Sequence, residues 1–334
     1  MSNTFLNETR NQHYLSQGEQ RLNTSTPNAK KKRNQRIYEF EVLGRFEQVA
    51  LGEPKNRRIE ANLALDDIFS FEVDPEIRLR QNFEVLFQRY EDSLITRTEA
   101  FLKKAEAKAR PPQVKDDLVG LFAAKLLNFA RNPYCVPKVL DTFKSFLTVR
   151  PTDPATDDQL NLVLNGNRPH QTEICKRFDL SVLQYQQWLQ VLFMLLTEMN
   201  SPNGQESLFD GMVRSLFNKR TTAVMVTVIR HTTDKCLLSD RSFNSPINAN
   251  GMLCFEFNLR HDTFIRYVFA DRAAWLPTEI PPHLLTALDL MEPIFSIDYR
   301  VDDRAELSRY NLNAVNQCHS RVFCSVDSGI LIAR

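Results

Sequence analysis

The sequence predicts an α+β fold in which a central, mostly antiparallel sheet packs against a large helical region. Residues 75–220 repeat apolar side chains at helical spacing. Residues 221–271 hold the densest run of strand signals in the chain. The 334 residues are 43% hydrophobic and 25% charged, which suffices to fill a substantial core. We read one domain over 1–334: strands and a short motif over 1–74, helices over 75–220, and the sheet with a last helix over 221–334.

Residues 1–12 are polar and expected to be mobile. His13 to Gln17 lead into a short helix through Leu22. Residues 23–35 read as a loop with a basic cluster, Lys30, Lys31, Lys32, Arg33 and Arg36. Residues 36–43 (RIYEFEVL) are a strand candidate, and 59–73 read as extended with a break at Asp66-Asp67. Adjacent carboxylates on a strand point apart, so these two are expected to be surface acids.

Pro75 suits the first turn of a helix, and the spacing predicts one running to Arg110, stopped by Pro111-Pro112. Further helices are predicted over 114–131, closed by Arg131-Asn132-Pro133, and over 136–147. Residues 151–169 look like an exposed insertion. Residues 181–198 form a strongly apolar helix carrying Trp188, and 205–218 an amphipathic one.

Residues 221–228 (TTAVMVTV) are β-branched and continuous, as in a strand buried on both faces. They are expected to form a hairpin with 236–238 across a polar turn, delivering Ser239 and Asp240 at a sheet margin. That pair suits a site, or, as the commoner case, a turn capped by its own side chains. An Asn/Ser/Pro/Gly loop follows over 243–251, then a second hairpin from 252–259 and 263–269. Residues 277–293 are proline-rich with a short helix, and 294–299 a strand. A long helix is predicted over 303–325, and 330–332 suggest an edge strand. The last helix mixes apolar residues with Asn311, Asn313, Asn316 and Gln317, amides that forgo burial unless they find partners.

Net charge is +1, so no global field draws the chain to nucleic acid or an acidic membrane. Glycine is scarce at 9 residues, and no Gly-rich phosphate loop is present. Cys135, Cys175, Cys236, Cys254, Cys318 and Cys324 lie in apolar contexts without a C-x-x-C pair, which points to free thiols in a reducing compartment. Cys318-His319 with Cys324 has the spacing of a helix face rather than a zinc knuckle. With no apolar leader and no run long enough to cross a bilayer, the expected location is cytoplasmic, without membrane contact.

Together, His13-Tyr14-x-x-Gln17, the strand RIYEF, Arg131-Asn132-Pro133, Ser239-Asp240 and the Asn-bearing last helix resemble the bacterial family catalogued as domain of unknown function 4238. The resemblance spans nearly the whole chain. It departs at Phe255-Glu256-Phe257, where members commonly carry Pro-Leu-Thr/Ser, and at Arg241-Ser242, where they often carry Asn-Pro. It implies a fold and a site location, and no established activity.

The candidate catalytic set is His13, Arg131 and Asp240. The His would act as base or acid, the Arg would stabilise charge on a phosphodiester, and the Asp would orient the His. Tyr14, Gln17 and Asn316 would position substrate, with Lys31, Lys32 and Arg33 on phosphate. A metal nuclease built on Asp240 with Glu256 and Asn258 is a further idea. These readings lead to a nucleic-acid-acting effector, a nuclease of bacterial defence. The alternative is an interaction or regulatory protein, with a protein partner or a second copy, in which the same residues form a structural hydrogen-bond network. No particular cofactor is specified.

Overall fold

A computed structural model describes residues 5–201, 204–246, 251–271 and 294–333. The chain begins with β1 (Asn11–His13), α1 (Gln17–Leu22), β2 (Arg36–Gly44), β3 (Ala50–Leu51), β4 (Lys55–Arg58), β5 (Ala64–Asp66), β6 (Ser70–Asp74) and β7 (Leu79–Asn82). Helices follow: α2 (Glu84–Glu91), α3 (Leu94–Glu106), α4 (Pro111–Arg131), α5 (Val136–Thr142), α6 (Pro154–Asn165), α7 (Gln171–Phe178) and α8 (Val182–Leu196). Then come β8 (Glu198–Ser201), β9 (Gly204–Ser207), α9 (Leu208–Asn218), β10 (Thr222–Arg230), β11 (Leu238–Ser239), β12 (Met252–Arg260) and β13 (Thr263–Asp271). The last elements are β14 (Ile294–Val301), α10 (Arg304–Gln317) and β15 (Arg321–Cys324). Antiparallel sheets and numerous helices make this an α+β fold.

Two compact units share the chain. The first comprises Met1–Ser16, Leu63–Asp92 and Leu126–Met212, and the second Gln17–Asn62, Ser93–Lys125 and Val213–Arg334.

In the first unit, α8 is apolar nearly all round and correspondingly buried, with Trp188, Leu189, Leu192 and Phe193 at 0% exposure. Ser181 and Gln184 close a reciprocal capping box at its start. Phe5 packs between Phe71, Phe83 and Phe193, so the chain is anchored at that residue, against the mobility expected of 1–12, of which residues 1–4 lie outside the described residues. Residues 75–78 are a hairpin tip, not a helix start. Asp74 accepts the backbone N–H of Glu76, and β6 and β7 pair around it, Asp74 opposite Leu79. The expected long helix is therefore the separate α2 and α3. Residues 154–165 are not an exposed insertion, because α6 is capped by Asp153 and buries Leu160 and Val163 completely.

Pro111 and Pro112 open α4 instead of closing its predecessor, since a first turn needs no N–H from either. In the second unit, the sheet runs β12-β13-β10-β14, antiparallel except for the parallel β10–β14 pair. Phe122 of α4 fills its face, edge-on to Phe255, Phe257, Tyr267 and Phe269 with centroids 5.0–5.8 Å apart. The hairpin of β12 with β13 is as expected. The one between β10 and residues 236–238 is not: β10 is already paired on both edges, and β11 joins β15 in a second sheet, β11-β15-β2-β3, with β4 on β2. The last helix stops at Gln317, and 321–324 are strand β15, so Cys318 and Cys324 do not share a helix face. Residues 330–332 form no strand, although Ile330 and Ile332 pack on the core of this sheet. The helix expected within 277–293 lies outside the described residues, as does part of the loop 243–251. All six cysteines are buried and free. Among the described residues, no helix is long and apolar enough to cross a membrane.

Candidate functional site

His13, Tyr14 and Arg131 fall in the first unit, and Gln17, Lys31, Lys32, Arg33, Asp240 and Asn316 in the second. His13 closes β1 opposite Ala64 and is nearly buried. Tyr14 sits edge-on to Tyr134 and Phe178. Arg131 is 1% exposed and lies over the Phe87 ring; it pairs with Glu91 and donates to Asn128 Oδ1 at 2.9 Å. Gln17 begins α1 and accepts from Arg21.

Asp240 occupies a backbone cradle. Its carboxylate accepts the N–H groups of His319, Ser320 and Arg321 at 2.7–2.9 Å. Burial pushes its carboxyl above the ordinary range, against the opposing pull of those donors. Just upstream, Arg45 donates to the carbonyls of Val315, Asn316, Cys318 and His319 at the end of α10. A cation thus takes the terminal carbonyls of α10, and a carboxylate takes the amides of the turn that follows. Asn316 joins in, its Oδ1 accepting Phe46 N–H at 2.9 Å. Glu256 takes Arg266 and Asn313, and Asn258 accepts from Asn23, so the acid–Asn pair of the metal idea already has partners. Among the described residues no group of three or more His, Cys, Asp or Glu could hold a metal ion.

The basic loop is joined by a strand that the sequence did not single out. β4 carries Lys55, Arg57 and Arg58, all exposed, and pairs with β2 so that Arg58 lies directly opposite Arg36. Like charges in such a cross-strand pair repel unless an anion intervenes. Glu39 answers only part of this, between Arg57 at 3.2 Å and Arg321 at 3.3 Å. Lys30, Lys31, Lys32, Arg33, Lys55 and Arg58 are exposed and make no ion pair or side-chain hydrogen bond with the described residues. Arg45, Arg230, Arg266 and Arg300 of the same unit are engaged, whereas Lys103, Lys108 and Lys219 are exposed like the basic loop.

A cleft of about 360 Å³ opens in the first unit. Its floor is the β1–β5 ribbon, Asn11 opposite Asp66, and α7 supplies a wall with Glu173 and Ile174. His170, at the N-cap of α7, lines it with its side chain 31% exposed. His170 Nδ1 lies 2.9 Å from Asp67 Oδ2. Asp67 is almost wholly buried and adopts a left-handed backbone with φ of 57°. Its other oxygen accepts from Ser70 at 2.9 Å and Arg80 at 2.7 Å. Gln12, itself fully buried, donates to Ser70 Oγ and accepts Phe69 N–H. Asp67 is therefore no surface acid: the break after β5 turns it inward. The cue was the break itself, since a residue in a turn need not follow the alternation of a strand. Nothing in the sequence linked His170 to it across 103 residues.

The second unit also buries a charge pair. Lys125 donates to Glu19 Oε1 at 2.7 Å and to the Asn258 carbonyl at 2.5 Å, and Ser242 donates to the same Glu19 oxygen at 2.7 Å. Both charged side chains are 0% exposed, and burial draws the Lys125 ammonium pKa down, against the pull of Glu19. The pair is sealed and hydrogen-bonded, as a structural network requires.

Compared with protein-family models, curated proteins and solved structures, the chain matches none.

Proposed function

We propose that the protein acts on nucleic acid, holding the phosphate backbone on the basic face formed by residues 30–33 and β4. The observation that carries this is the set of unpaired exposed cations beside the opposed Arg36 and Arg58. Without an anion that arrangement repels itself; with phosphates along it, counterions are released and binding gains. A nuclease-type effector of bacterial defence is the finer form of this reading.

The other reading from the sequence, a structural polar network, is favoured for three of the proposed site residues. Arg131, Asp240 and Asn316 each hold neighbouring side chains or backbone in place.

The test is fluorescence anisotropy with labelled single-stranded RNA, single-stranded DNA and duplex between about 50 and 200 mM salt. Engaging about four phosphates gives a slope of log K against log salt near −3 for a single strand. Combined Lys31→Glu, Arg33→Glu and Arg58→Glu should weaken binding at least about tenfold, since each removed contact also flattens that slope. Equal affinity of wild type and triple variant would refute the assignment.

A further inference from the structure

We propose that the His170–Asp67 cleft is an acid–base site that cleaves a ribonucleotide phosphodiester. The substrate class rests on the nucleic-acid reading above; the site itself stands on its own geometry. Asp67 fixes one ring nitrogen of His170 and is in turn held by Ser70 and Arg80, so the imidazole has a set orientation. With Nδ1 occupied by Asp67, Nε2 is the ring nitrogen left for a ligand, and no described residue bonds it. A buried carboxylate behind a half-open histidine on a cleft wall is the arrangement that general-base catalysis needs.

Arg10 supplies the second element. It lies on the same cleft and pairs with Asp66 through Nε at 2.8 Å. No described residue besides Asp66 forms an ion pair with it, and its side chain is 59% exposed. A guanidinium fork this exposed is suited to a phosphoryl group. The cleft volume lies within the range of about 300–1,000 Å³ typical of small-ligand sites, enough for a nucleotide unit.

A base and a cation are sufficient where the nucleophile is already part of the substrate, because intramolecular attack gains effective concentration. His170 Nε2 takes the proton of a ribose 2′-hydroxyl as O2′ bonds to phosphorus. The P–O5′ bond breaks, and the leaving O5′ takes a proton from water. The hydroxide so formed is neutralised by the proton that His170 returns to solvent. The products are a 2′,3′-cyclic phosphate and a 5′-hydroxyl, with no oxidation or reduction. Arg10 faces the charge that builds on the non-bridging oxygens. Asp67 is a positioning residue.

The experiment uses the full chain with a labelled single-stranded RNA and the same strand fully 2′-O-methylated, following binding by anisotropy and cleavage by end-group analysis. RNA should be cut to cyclic-phosphate ends, and the methylated strand bound but left intact. His170→Asn should slow cleavage at least about a hundredfold. Arg10→Ala, at an exposed side chain, should slow it about tenfold or more while the fold is unchanged by circular dichroism. Asp67→Asn should lower kcat with KM nearly unchanged while circular dichroism shows wild-type folded content, so that lost folded protein does not account for the fall. Bound but uncut RNA overturns the cleavage site and leaves the binding reading standing. Cutting of the methylated strand, or wild-type rates in both His170→Asn and Arg10→Ala, also overturns it. Cleavage with RNA affinity unchanged in the triple basic-face variant overturns the docking face instead.

Discussion

Glu84 stands close to Arg131 and Glu91, and burial with the second carboxylate outweighs the arginine, so its carboxyl is pushed up to about 7. A carboxyl whose folded pKa lies above its unfolded value contributes its stability below the unfolded value and loses it as pH rises through the folded one. Stability linked to Glu84 should therefore be fully present below about pH 4.5 and gone above about pH 7. Glu84→Gln should flatten this dependence and stabilise the protein at pH 8 by at most ~3 kcal/mol, at about 1.36 kcal/mol per unit. Urea unfolding of both proteins at pH 5 and pH 8 measures it; parallel curves would refute the assignment. At Asp240 the residue has three backbone donors to lose. Asp240→Ala should cost about 2–4 kcal/mol in the same assay. If Asp240 only holds the turn, Asp240→Asn should leave RNA affinity unchanged.

At the scale of elements, α10 carries a row of amides whose burial its distant partners compensate. Asn311 accepts Leu237 N–H at 2.8 Å and donates to the carbonyls of Lys235 and Leu331. Asn313 reaches Glu256, Asn316 takes Phe46 N–H, and Gln317 clasps Ser245. One helix thus pins several irregular segments whose backbone groups have no sheet partner. Asn311→Ala should cost about 2–4 kcal/mol, since it strands buried groups, and Asn316→Ala, half-exposed with one bond, under about 1 kcal/mol. Chemical denaturation separates them; equal losses would show that burial does not set the difference. The sequence made these amides conspicuous, but their partners lie up to 270 residues away. Helix spacing and the β12–β13 hairpin were legible because they are local. The β10 hairpin was misread because continuous β-branched residues announce a central strand without saying which neighbours it takes.

For the whole molecule, net charge near zero and a local basic face make separate predictions. At pH 7.6, close to the sequence isoelectric point, the summed field is weak. Retention on heparin should then report local basic surface, and fall sharply with the Lys31, Arg33 and Arg58 reversals. Retention unchanged by those reversals would place the charge elsewhere. The buried Lys125–Glu19 pair belongs to this scale too, since it links α1, α4 and β12 within the second unit. Lys125→Met should cost about 3–5 kcal/mol by leaving Glu19 buried alone, and adding Glu19→Gln should restore part of it. Thermal and urea unfolding of the single and double variants check this; a double variant no better than the single would argue against an ion pair.

By itself the sequence determined the α+β class, the apolar helices, the sheet-forming stretch and the basic cluster, because each is written in the spacing or density of neighbouring residues. Tertiary structure alone decided that Asp67 turns inward to meet His170, that β4 extends the basic loop, and that Asp240 serves three amides. Those outcomes depend on which distant segments share a surface. Periodicity fixes which face a residue presents, but only the closed fold fixes what that face meets.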